Sequence, residues 1–162
     1  MIQLIEIFAS LHRHNVKYLL CGGLAVNLYG IPRMTADIDL LIQWSDDNVQ
    51  KFELALAEHK YKNNLFFQLK TLVSAEVRLR YYQDNNLVAY SYSSDLFQAI
   101  TLDVLTRTNI DFDASWERKE VKVLQNVPVY VLRVDDLITM KEFAGREQDK
   151  SDVINLRKYQ KK

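Results

Sequence analysis

The chain has 162 residues, the length of one ordinary domain, and a single domain over residues 1–162 is expected. Hydrophobic residues make up 48% and charged residues 26%, which excludes disorder, collagen and coiled coil as descriptions of the whole. Lys+Arg and Asp+Glu both number 21, so the overall basic excess of a dedicated nucleic-acid binder is missing, and only a local basic face is compatible with that role.

Ile2, Ile5, Phe8 and Ala9 recur at helical spacing and predict an amphipathic helix over 2–13. Residues 17–21 read as a buried strand, followed at once by Gly22-Gly23. A short helix over 24–29 is ended by Gly30 and Pro32. Residues 37–42 form the second strand. Ser45 caps a helix that runs to about His59, with Asp46 and Asp47 in its first turn. Residues 64–70 fit a strand or a loop, and 74–84 a helix. Strands are expected over 87–93 and 100–105. A hairpin joins 121–124 to 129–132 through residues 125–128. Asp135 or Asp136 opens a helix that Gly145 ends, and Ser151 caps the last helix, with Val153, Ile154 and Leu156 turned inward. The element order implies an α+β fold, a mixed sheet flanked by helices with further helices at the C-terminus.

No apolar run approaches the roughly 18 residues that span a bilayer, so no membrane partner is expected. Cys21 is the only cysteine and permits no internal disulfide. The N-terminal run, interrupted by Glu6, does not read as a signal peptide, and a cytoplasmic location is expected. His12, His14 and His59 form no metal motif.

The chemistry concentrates in residues 21–40. Asp37 and Asp39 stand at i and i+2 on a strand, so both carboxylates share one face while Ile38 and Leu40 point into the core. Two like charges on one face call for a cation, and Mg²⁺ is held by one or two carboxylates together with substrate phosphates. Gly22 and Gly23, between strand and helix, let backbone N–H groups approach a phosphate. Asp103 lies in the apolar strand Ile100–Leu105 and needs a partner there, Arg107 and Arg33 being the simplest. If that strand pairs beside the Asp37–Asp39 strand, three carboxylates converge.

These residues resemble the nucleotidyltransferase superfamily, the DNA polymerase β-like fold, whose signature is Gly-Gly or Gly-Ser followed by Asp-hydrophobic-Asp-hydrophobic. Within it the chain is similar to the small bacterial chains related to AbiEii-type toxins: Gly22, Gly23, Arg33, Thr35, Asp37 and Asp39 match their pattern. So do the stretch Val134–Lys141, Ala144–Arg146, Asp149 and Asp152. The resemblance implies Mg²⁺- or Mn²⁺-dependent transfer of a nucleoside monophosphate from a nucleoside triphosphate such as ATP to a hydroxyl or phosphate. It implies Asp37, Asp39 and Asp103 as metal ligands and catalytic residues. Gly22, Gly23, Arg33, Thr35 and Lys141 are the candidate nucleotide contacts. Acceptors in that superfamily include tRNA, protein and small molecules, antibiotics among them. A cognate antitoxin or a second copy of the chain is the partner such toxins imply. Two departures stand out. Gly23 supplies no hydroxyl where Gly-Ser members have one, and Gln148 stands where related chains often carry Lys. The alternative reading is a catalytically silent module of the same fold that binds a nucleotide or a partner protein.

Overall fold

Strand alternation decides what each face of this molecule carries. The computed structural model describes residues 2–96 and 100–161. Its elements in order are α1 (Ile2–Arg13), β1 (Tyr18–Cys21), α2 (Gly22–Leu28), β2 (Asp37–Ile42), α3 (Asp46–Ala57) and β3 (Tyr61–Asn63). A 3₁₀ turn (Leu69–Leu72), α4 (Ala75–Asn85), β4 (Ala89–Ser94) and β5 (Thr101–Leu105) follow. The chain closes with α5 (Phe112–Glu117), β6 (Glu120–Leu124), β7 (Val127–Val131), α6 (Val134–Ala144) and α7 (Glu147–Gln160).

The strands form one mixed seven-stranded sheet in the order β3-β4-β5-β2-β1-β7-β6. β2 is antiparallel to β1 and parallel to β5, which puts the two acid-bearing strands side by side at its centre. One face carries Tyr18, Leu20, Ile38, Leu40, Ile42, Tyr90, Leu102 and Val104, all buried. α1 and α3 cover that face. Phe8 stacks on Tyr18 with ring centroids 5.8 Å apart, and Phe52 meets Tyr92 edge-on at 5.8 Å. Each such side chain, fully buried, contributes about 1.5–3 kcal/mol. The opposite face carries Asp37, Asp39, Thr101 and Asp103, with α2 packed along β1 and β2 and α6 packed on α7.

Polar side chains fix the joints. Ser45 caps α3 by accepting from the Asn48 N–H at 3.2 Å. The buried Asn48 amide accepts from Lys17 N (2.8 Å) and donates to the carbonyls of Lys17 (3.0 Å) and Gln43 (2.9 Å), tying the start of β1 to the end of β2. Ser10 donates from α1 to the Ala55 carbonyl of α3 at 3.1 Å.

The expected mixed sheet and helices are present, with several differences in detail. β3 and α5 were not expected, and 64–70 is irregular chain leading into the 3₁₀ turn. α2 begins at Gly22 itself, two residues early. The hairpin loop is only Gln125-Asn126, because β7 already pairs at Val127, and both loop residues have positive φ (45° and 70°). α7 starts at Glu147, not Ser151, since Glu147 and Asp149 in its first turn suit the helix dipole. Ile154 is 56% exposed rather than turned inward.

Candidate active site

Register brings the acids together. In the parallel β2–β5 pair Asp39 is opposite Asp103 and Asp37 is opposite Thr101. On the other side of β2, Asp39 is opposite Cys21, the last residue before the glycines. A single row across the sheet therefore holds Cys21, Asp39 and Asp103 on the same face, with Asp37 and Thr101 one step away. Asp37 is exposed and its Oδ1 accepts the Thr101 hydroxyl at 2.6 Å. Asp39 and Asp103 are half-buried. Asp103 Oδ1 is itself buried and has no hydrogen-bond partner among the described residues. The partners expected for it lie elsewhere. Arg33 pairs with Asp152, and Arg107 donates to the Tyr82 hydroxyl.

The electrostatics of Asp39 follow from this crowding. Burial, then the charges of Asp103 and Asp37, push its carboxyl above the ordinary carboxylate range, against the pull of Lys141 and Arg146. The buried Cys21 thiol is pushed up as well, first by burial and then by Asp39, which makes it an inert neighbour. Among the described residues no group of three or more His, Cys, Asp or Glu side chains is gathered closely enough to hold a metal ion by itself. The donor set nevertheless suits a hard divalent cation that takes part of its shell from phosphate. The donors are carboxylate oxygens, one of them buried and unpaired.

The two glycines are required for separate reasons. Gly22 has φ +65°, and a Cβ there would lie 1.7 Å from Asp39 Oδ2. A side chain at 22 would thus evict the central carboxylate. A Cβ on Gly23 would lie 1.7 Å from Arg33 Nη1 and 2.8 Å from Thr35 Oγ1. The place that a serine side chain would take is filled by the Arg33 guanidinium, which accounts physically for Gly-Gly here instead of Gly-Ser. Asn27 holds Arg33 in place, accepting its N–H at 2.7 Å and donating to its carbonyl at 2.9 Å.

A chain of charges backs the site. Asp152 Oδ2 lies 2.6 Å from Lys141 Nζ and 3.3 Å from Arg33 Nε. Lys141 also reaches Asp149 at 3.3 Å, and Arg146 Nε donates to Asp149 at 2.7 Å. Burial raises the Asp149 carboxyl, but its bonds to Arg146 and Lys141 outweigh that and hold it below the usual range. Lys141 is only 3% exposed, so it does not snorkel to solvent, and its charge is felt by Asp39. These pairs join α6, α7 and the loop before β2. Sequence reasoning named Arg33, Lys141, Arg146, Asp149 and Asp152 but not the order in which they connect. It missed Thr101 and Asn27. Thr101 was legible, since it stands at i−2 from Asp103 as Asp37 does from Asp39. Asn27 gave no signal.

Residues 1–160 match the family described as "Nucleotidyltransferase of unknown function (DUF6036)". The chain belongs to that family. Among curated proteins none matches the sequence. Among solved structures, this nucleotidyltransferase is similar to the lincosamide antibiotic adenylyltransferase LnuA in its lincomycin-bound form. The TM-score is 0.61 at 16% identity, covering 95% of this chain and 94% of that one. It is also similar to ANT(2")-Ia in complex with adenylyl-2"-tobramycin, with a TM-score of 0.55 at 12% identity, covering 95% of this chain and 84% of that one. At these identities the likeness establishes the shared fold. No helix among the described residues is long and apolar enough to cross a membrane.

Proposed function

We propose that this nucleotidyltransferase moves a nucleoside monophosphate from a nucleoside triphosphate to an acceptor hydroxyl or phosphate at the Asp37–Asp39–Asp103 face. The observation that carries the reading is the register of Asp39 against Asp103 beside Gly22, with the Asp103 Oδ1 atom buried and unpaired. A purely structural acid in that strand would have been neutralised by a cation or a hydrogen bond. The acceptor oxygen forms a bond to the α-phosphorus while the bond from that phosphorus to the bridging oxygen breaks. Pyrophosphate leaves with the electron pair. When the acceptor is a hydroxyl, its proton passes to a carboxylate, and Asp103 is the acid in this reading that takes it.

Asp37, Asp39 and Asp103 would hold Mg²⁺ or Mn²⁺, which when bound supplies positive charge against both the triphosphate and the three carboxylates. Arg33, lying against Gly23, meets the triphosphate with a planar fork of donors suited to phosphate oxygens. Gly22 and Gly23 let the Asp39 carboxylate and the Arg33 guanidinium close against the backbone, and the Thr35 hydroxyl stands beside Gly23. Lys141, buried between Asp149 and Asp152, is a positioning residue for Arg33 and Arg146. The rate enhancement in this reading comes from holding the reactants in line and stabilising charge. ATP is the donor suggested by the adenylyltransferase LnuA and by the adenylyl-2"-tobramycin held by ANT(2")-Ia, and both neighbours hold small-molecule antibiotics or their adenylylated form. A role as a toxin with a cognate antitoxin rests on the AbiEii resemblance alone.

The test is transfer of label. Protein, Mg²⁺ and each α-³²P nucleoside triphosphate are incubated with total RNA and protein extract, beside a γ-labelled control. Mg²⁺-dependent labelling from the α position, lost in Asp39→Asn, is the expected result. Labelling from the γ position, or α-labelling that survives Asp39→Asn, would overturn the reading.

A further inference from the structure

We infer that the acceptor is a single-stranded nucleic acid, held in an arginine-lined aromatic cleft that opens beside the three acids; this rests on the transfer reading above. Two cavities, of about 310 and 400 Å³, adjoin through shared walls at Leu105, Arg107 and Thr108. Leu105 follows Asp103 by two residues on β5 and so lies on the same face, about 7 Å along the strand. Leu41 stands in the same relation to Asp39 and lines the first cavity. The cleft therefore begins where the row of acids ends.

Its walls are cationic and aromatic. Arg78 lies 4.6 Å over the Trp44 ring. Arg107, between the two cavities, lies 4.0 Å over Tyr82 and 5.2 Å over Phe143. Arg146 closes the second cavity near Asp39. Among the described residues no Asp or Glu lines either cavity. Arg78 and Arg107 spend their hydrogen bonds on neutral oxygens, the carbonyls of Leu72 and Val73 and the Tyr82 hydroxyl, so their positive charge is left for a ligand. Phe143 is 50% exposed.

Charge complementarity selects the occupant. A polyamine acceptor such as tobramycin would set like charges against the Arg78 and Arg107 guanidinium groups. A neutral apolar acceptor would leave them unanswered. A nucleic-acid strand places phosphates on the arginines and stacks its bases on Phe143 and on the guanidinium planes. The zero net charge of the whole chain keeps this a local contact of few phosphates. With two phosphates neutralised, by Arg78 and Arg107, the logarithm of affinity should fall against that of salt with a slope of about −1.4.

The test is fluorescence anisotropy of the full chain with a labelled ten-nucleotide single-stranded RNA, an abasic strand of the same length and a duplex, across a salt series. The single strand should bind with that shallow slope and more tightly than the other two. Arg107→Gln should weaken it about tenfold and flatten the slope. Phe143→Ala, a change at a half-exposed position that leaves the core intact, should weaken the RNA at least about fivefold but not the abasic strand. Both variants should keep the Mg²⁺-dependent affinity for the triphosphate. A protein that binds triphosphate but not the RNA overturns this inference and leaves the transfer reading standing. Equal binding of RNA and abasic strand overturns it too. So does Arg107→Gln weakening triphosphate binding while sparing the RNA, because the cleft then belongs to the donor base.

Discussion

Replacing Asp39 by Asn should make the unliganded protein more stable while abolishing transfer. Asp39 is half-buried, with Asp103 directly across on the next strand and Asp37 two residues away on its own. Neighbouring strands lie about 4.8 Å apart, so at an effective dielectric of about 20 one neighbouring carboxylate repels it by about 3 kcal/mol. Lys141 and Arg146 offset part of this. A net gain of about 1–2 kcal/mol for the neutral amide follows, or about 2–8 °C in Tm for a domain of this size. The pH dependence has a definite sign. Burial and the two acids raise the folded-state pKa of Asp39 above its unfolded value. Its favourable contribution is therefore complete below the unfolded pKa and is lost as pH rises through the folded one. The two proteins should melt together in acid and separate, variant above wild type, as pH climbs to neutrality. Adding Mg²⁺ with triphosphate should reverse the order by stabilising only the wild type. Differential scanning calorimetry over pH 4–8, with and without ligand, measures all of this. An Asn variant less stable than the wild type at neutral pH would refute the reasoning.

Three further outcomes follow from the geometry. Lys141→Met strips a buried cation from between Asp149 and Asp152 and should cost about 3 kcal/mol in urea unfolding, with part recovered by adding Asp152→Asn. Equal costs with and without the second change would show that the pairs do not act together. Gly22→Ala forces a non-glycine residue to φ +65° at about 1–2 kcal/mol and drives its Cβ into Asp39. Turnover should fall about a hundredfold, well beyond what the stability loss explains, as initial-rate kinetics would show. Gln125→Asn with Asn126→Gly puts preferred residues at both positive-φ sites of the β6–β7 hairpin and should raise stability by about 0.5–1 kcal/mol without touching activity, measured by thermal melts.

The central acids were legible because their signal is a short-range one. Two acids at i and i+2 on an apolar strand, and Asp103 framed by Leu102 and Val104, declare a polar row on an otherwise buried sheet. What the sequence could not show was contact between elements. Arg33 fills the space over Gly23, and Lys141 finds Asp149 and Asp152 across the turn between α6 and α7. Both depend on how helices cross, which no periodicity encodes. β3 has three residues, two of them exposed, too few for an alternation to register. α5 has six, begun by the Asp111 cap on the Ala114 N–H, and is shorter than a helical period can reveal. Ser151 misled because its preference for a cap is local, whereas α7 is already under way four residues earlier.

The most direct test of a triphosphate site on the acid face is a calorimetric titration. Each nucleoside triphosphate is added, with and without Mg²⁺, to the wild type and to Asp37→Asn/Asp39→Asn. Binding by the wild type that requires Mg²⁺ and vanishes in the double variant is the predicted result. Binding that ignores Mg²⁺, or survives loss of both carboxylates, would contradict it.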